Sequence, residues 1–219
     1  MINRRRLLAG VGAGVLAASA GCVDLVAGDG LELEAAPAAP SDGTVAGTNF
    51  ELAERDSELI EEDIEVLGQE RRLVAETHFV TYEATESIGG QDQQAALFAT
   101  VSTPGYEVAG QQLNPIARLS HADLVEGVAD REVDEDAEDE LEELEERESY
   151  EETILGESVE VSVFETETEV EGARVTLFVH VATVEHEDDV IALVGTYPEV
   201  FPEYEAEIAE LLRSVEHPA

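Results

Sequence analysis

The chain has no lysine, no tryptophan, and only one cysteine and one methionine. A lone cysteine excludes an intramolecular disulfide, so stability must come from packing. Eleven arginines face 52 Asp and Glu, a net charge of −41. That balance repels phosphate backbones and anionic headgroups, which excludes nucleic acid as a partner. Beyond the amino terminus, no apolar run approaches the roughly 20 residues a spanning helix needs. Reactive motifs are also missing. There is no G-x-S-x-G elbow, no phosphate-binding glycine loop, no H-E-x-x-H and no N-glycosylation triplet.

What is present begins at the amino terminus. Arg4-Arg5-Arg6 precedes Leu7-Leu8, a weakly apolar stretch follows to Ala18, and Ser19-Ala20-Gly21-Cys22 closes it. A charged start, a short apolar centre and a small-residue cleavage site make an export signal rather than folded structure. Arg4, Arg5, Leu7 and Leu8 resemble a twin-arginine address, with Leu where Phe is common. The cysteine stands where a lipobox places its acylated residue, although Ser19 replaces the usual Leu. The expectation is a signal peptide over 1–21, lipid attachment at Cys22 and a spacer over 22–30. The protein is then membrane-anchored through that lipid, at the extracellular face of the cell membrane.

Removal of residues 1–21 leaves eight arginines against 52 acids, a net charge of −44. In dilute buffer such a charge opposes a compact state. At molar salt the screening length falls to about 3 Å and the repulsion fades. Acid excess without lysine resembles the proteins of salt-in haloarchaea. Disorder fits poorly, because 43% of the residues are hydrophobic and several segments alternate. Diffuse cations and water are the expected surface partners.

Residues 31–216 read as a single domain with an acidic insertion at 130–150. Leu31–Glu34 alternates as a first strand, and residues 35–47 are turn-rich or a short helix. Phe50–Leu67 fits helix and strand, with strand favoured over 62–67. Strands are predicted over 72–85 and 95–102. A turn at 103–106 and a long connection to Pro115 follow. Ser120 then caps a helix from His121 to about Ala129, with Asp123 facing its dipole. Thirteen of the 19 residues from Asp130 to Glu148 are acidic, so this stretch is read as extended or weakly helical and solvated. Val159–Val163 alternates, Glu171-Gly172 is a hairpin turn, and Val175–Val184 and Val190–Thr196 are apolar strands. Phe201, Tyr204, Ile208, Leu211, Leu212 and Val215 form the stripe of a closing helix. Together these predict an α+β fold, a largely antiparallel sheet with helices packed on one face.

Several tracts carry a resemblance. They are Ala36-Pro37-Ala38, Val80-Thr81-Tyr82, Val101-Ser102-Thr103-Pro104, Gly110 through Ile116, and Gly195-Thr196-Tyr197-Pro198. Together they resemble a family of haloarchaeal lipoproteins of unknown function, over most of residues 31–216. These are backbone and packing residues, and the resemblance implies no active site. The ending of meander, Thr-Tyr-Pro and helix is more loosely similar to the PsbP-like α+β sandwich, an analogy of architecture alone.

Candidate chemistry is sparse. Asp134, Asp136, Glu138, Glu142 and Glu145 stand at EF-hand offsets 1, 3, 5, 9 and 12, but Asp139 holds offset 6, where the turn needs Gly. The five histidines, His78, His121, His180, His186 and His217, form no ligand pair by spacing. No metal, cofactor or catalytic residue is therefore expected. The loop bearing Tyr106, Gln111, Gln112 and Asn114 is the candidate contact region, for a protein or small-molecule partner. The expected function is a non-enzymatic binding or interaction module at the cell surface. The alternatives are a motif-free extracellular hydrolase, which a pocket joining His78, His121 and Arg118 would favour, and a structural envelope protein.

Overall fold

The computed structural model describes residues 31–66, 69–88, 90–108, 111–112, 114, 116–125, 144–170 and 173–219. The export signal with Arg4, Arg5, Leu7 and Leu8, Cys22 with its spacer, Asp134 to Glu142, and the Glu171-Gly172 turn lie outside those residues. The chain divides into two compact units. In the first, residues 31–33 and 60–74, Leu73 is buried and Arg72 pairs with Glu61 at the surface.

The second unit, residues 34–59 and 75–219, carries the sheet. The long strands are β3 (Glu51–Val66), β4 (Gln69–Ile88), β5 (Gln91–Pro104), β8 (Glu145–Ile154), β9 (Glu157–Val170), β10 (Ala173–His186) and β11 (Asp189–Pro198). Their order is β4-β5-β11-β10-β9-β8, antiparallel throughout. Shorter strands are β1 (Leu31–Glu34), β2 (Ala39–Pro40), β6 (Glu107–Val108), β7 (Gln111–Gln112) and β12 (Val215–Glu216). The helices are α1 (Asp42–Val45), α2 (residues 121–125) and α3 (Glu203–Arg213), with a 3-10 turn at Ile116–Arg118. No described helix is long and apolar enough to cross a membrane.

The α+β expectation, PsbP-like analogy included, is corrected: the fold is dominated by β-sheet. The reason lies in the polar tails of the strands. The strands expected over 72–85, 95–102 and 159–163 stop short of these tails. The observed strands continue through Glu86–Ile88, Gln91–Gln94 and Glu165–Val170, where Thr, Glu and Gln still pair their backbones across the ladder. Residues 51–61, which fit helix and strand alike by sequence, form an exposed strand. The acidic stretch is corrected at its end, since Glu145–Ile154 is paired with β9 and not a free insertion. Five glutamates and Arg147 on this edge strand discourage further strand pairing. Val215 leaves the helical stripe and pairs with Pro40 in β2.

Alternation gives the sheet two buried faces. One carries Val80, Tyr82, Phe98, Val161, Ala182, Ile191 and Leu193 against Tyr204, Ile208, Leu211 and Leu212 of α3. The other carries Val101, Val179, Val181, Ala192 and Val194 against Leu124 and Val125 of α2. Ser120 and Asp123 cap α2 reciprocally. The Asp123 carboxylate accepts from the Ser120 hydroxyl at 2.6 Å, and the Ser120 oxygen accepts from the Asp123 N–H at 3.2 Å.

Candidate functional site

The segment between α1 and β3 builds a cleft among the described residues. Ser41 caps α1 by accepting from the Thr44 N–H. The Thr48 hydroxyl then donates to the Val45 carbonyl at 2.9 Å and accepts from the Phe50 N–H at 3.3 Å, which turns the chain into β3. Asn49 is clamped to α3, its backbone and side-chain N–H groups donating to the Glu207 carboxylate at 2.9 and 2.7 Å. Phe50 packs edge-on against Tyr204, with ring centroids 5.7 Å apart. The Tyr204 hydroxyl in turn donates to Glu86 at 2.9 Å.

This frame borders an open cleft of about 530 Å³, in which Asp42, Glu51, Leu52 and Arg55 are exposed. Buried Phe50 and Tyr82 line it with Val45 and Leu52, and Arg55, Asp42 and Glu51 are its charged groups. The Tyr82 hydroxyl is pushed up by burial, opposed by the charge and hydrogen bond of Arg55, with a smaller upward push from Asp42. Arg55 makes no ion pair among the described residues. In contrast, Arg72, Arg147, Arg174 and Arg213 each meet a glutamate. In a chain this acidic, a guanidinium with no carboxylate partner keeps its donors available. Arg118, exposed on the 3-10 turn, has no ion pair either and lines neither cleft.

The second cleft, about 420 Å³, is more open and is lined by His121, Glu157, Glu160, Thr183 and Glu185. His121 Nδ1 is 2.8 Å from the Ser162 hydroxyl. Burial lowers the His121 pKa against the pull of Glu160 and Glu146. The Thr183 hydroxyl is buried without a partner. The carboxylates here are all of one sign, and they add no recognition beyond loose cation attraction.

The remaining histidines are part of the packing. His78 shares the α3 face with Val80 and Tyr82, whereas His121 bonds Ser162 on the opposite face, so the sheet separates them. The Ser102 hydroxyl, cross-strand from His78, is buried. His180 Nδ1 lies 3.2 Å from the Tyr150 hydroxyl, and its ring is tilted against Tyr197. Burial depresses His180 to about 4. Burial, then Glu152 and Glu205, raise Tyr150 to about 12. His186 and His217 meet at 3.0 Å through their Nδ1 atoms. No group of three or more His, Cys, Asp or Glu among the described residues is placed to hold a metal ion.

The expected contact loop lies partly inside the fold. Tyr106 and Asn114 are buried. Asn114 donates to the Pro104 carbonyl at 2.7 Å and accepts from the Ile116 N–H at 2.8 Å, so it fastens the connection from within. Gln111 and Gln112 form β7, paired with β6. Sequence reasoning missed the Arg55 cleft because its parts are scattered in the chain. The available signal was an arginine isolated in an acidic stretch beside Phe50.

A family model described as a domain of unknown function (DUF6517) matches residues 37–216. The chain belongs to that family. A comparison with curated proteins finds no match.

Proposed function

We propose that this DUF6517 member is a non-enzymatic binding module of a haloarchaeal cell surface, exported by the twin-arginine route and tethered by a lipid on Cys22. The observation that carries the binding role is Arg55, held in a preformed cleft without an ion pair. The tether rests on Arg4-Arg5 and the Ala20-Gly21-Cys22 ending. The saline setting rests on the −44 charge of the processed chain. Against a hydrolase stands the separation of His78 from His121 and the burial of Ser102.

The test uses protein extracted from membranes with detergent in molar salt. Mass spectrometry should find lipid at Cys22, and Cys22→Ser should release folded protein into the medium. A small molecule should co-purify with the wild type and be lost from Arg55→Gln. Hydrolytic turnover abolished by His78→Ala or His121→Ala, with no bound molecule, would overturn the binding reading.

A further inference from the structure

The geometry points to a small zwitterion with an apolar body as the ligand of the Arg55 cleft: a carboxylate on Arg55, an ammonium toward Asp42 and Glu51, and the apolar part against Val45, Phe50 and Leu52. This rests on the binding reading above and names its ligand class.

Charge makes the first selection. Arg55 calls for a planar anion, and a carboxylate matches the guanidinium fork with two parallel hydrogen bonds. A simple anion, however, enters a cleft that also holds Asp42 and Glu51, both exposed. It also approaches a chain with 52 acidic residues. A simple cation meets Arg55. Only a ligand carrying both charges satisfies the two sides, and it brings no net charge into the field of the chain. Molar salt removes the long-range part of these forces, since screening acts beyond about 3 Å. It leaves the direct hydrogen bonds, so the selection survives under saline conditions.

Surface makes the second selection. Leu52 is 49% exposed at the cleft while Phe50 beside it is 2% exposed. An apolar ligand body covers Leu52 and extends the contact to Val45. The volume of about 530 Å³ lies in the range of small-molecule sites. The clamps from Glu207 to Asn49 and from Thr48 to Phe50 hold this wall in place before any ligand arrives. A preformed wall lowers the ordering cost of binding.

The test is calorimetry on the mature protein in molar NaCl with L-phenylalanine, 3-phenylpropionate and 2-phenylethylamine. Phenylalanine should bind at least about tenfold more tightly than either singly charged analogue, a difference of about 1.4 kcal/mol. Arg55→Gln should weaken phenylalanine and 3-phenylpropionate by about tenfold and leave 2-phenylethylamine unchanged. The double variant Asp42→Asn/Glu51→Gln should weaken phenylalanine and spare 3-phenylpropionate. Tyr82→Phe, which removes the hydroxyl that shares the cleft with Arg55, should keep the preference for phenylalanine. If 3-phenylpropionate binds as well as phenylalanine and both depend on Arg55, the zwitterion inference fails while the binding module stands. If none of the three binds and no molecule co-purifies, both fail.

Discussion

Ile208 of α3 rests directly on the bare backbone of Gly195 in β11. A Cβ built at Gly195 would lie 2.5 Å from the Ile208 Cγ2 atom. Ile208 is fully buried and Gly195 stands between Phe98 and His180 across the sheet. The absent side chain sets how closely α3 approaches.

Gly195→Ala should therefore cost about 1–3 kcal/mol, the range for overpacking a filled core. Ile208→Ala alone should cost about 2–5 kcal/mol through the cavity it leaves. In the double variant the alanine methyl enters that space, so its cost should fall short of the sum by more than 0.5 kcal/mol. Urea denaturation in molar salt measures all three, and strict additivity would mean that α3 does not seat on this glycine.

His180 gives the fold an acid-sensitive limb. Its pKa is about 4 in the folded chain because burial disfavours the cation, against 6.5 when solvated. Between those values the unfolded chain binds a proton that the folded chain excludes. The His180 contribution is whole above about pH 6.5 and is lost as pH falls through about 4, on the order of 3 kcal/mol. His180→Gln keeps a neutral hydrogen-bonding side chain facing Tyr150. It should flatten the stability profile between pH 6.5 and 4 relative to wild type, and an unchanged slope would assign that limb to carboxylates.

The legible parts of the sequence were those whose side chains are buried. Val175–Val184 and Val190–Thr196 read as strands because both their faces are apolar, and Tyr204, Ile208, Leu211 and Leu212 read as one helical stripe for the same reason. β3 was blurred because its exposed residues 51–61 show no sustained period. β8 was hidden because glutamates that solvate an edge strand look like a solvated loop. The meeting of His186 with His217 spans 31 residues, and that of Arg55 with Tyr82 joins separate strands. No local spacing rule reaches such pairs, whereas the Tyr106–Asn114 loop stands out in the sequence because its aromatic and amide side chains are close together in the chain.

The charge of the processed chain sets a salt requirement. With −44 distributed over the surface, lowering ionic strength lengthens the screening distance from about 3 Å at 1 M to about 10 Å at 0.1 M. Neighbouring carboxylates then repel across the sheet surface. Circular dichroism during a salt titration should show cooperative loss of sheet below roughly 0.5–1 M salt. A fully folded protein in dilute buffer would remove the argument for a saline habitat.

The carboxyl terminus is fastened by Asp189. One of its oxygens accepts from the Ala36 N–H at 2.7 Å and lies 3.0 Å from His217 Nε2. Nε2 also lies 3.2 Å from the Ala36 carbonyl, so both its neighbours are acceptors and it carries the proton. Around this node the two terminal segments pair. Ser41 donates to the Ser214 carbonyl, Val215 lies opposite Pro40, and the Ala219 N–H donates to Pro37. Asp189→Ala leaves the half-buried Ala36 N–H without its acceptor and His217 Nε2 with the Ala36 carbonyl alone, and should cost about 1–3 kcal/mol. Adding His217→Ala removes one of those donors, so the double variant should be at least about 1 kcal/mol more stable than the sum of the single effects predicts. In Asp189→Ala the amides of Ser41 and Ala219 should exchange with solvent faster than those of β10 and β11, because the clasp opens before the sheet does. Uniform acceleration across the sheet would show instead that Asp189 supports the whole core and not the terminal clasp alone.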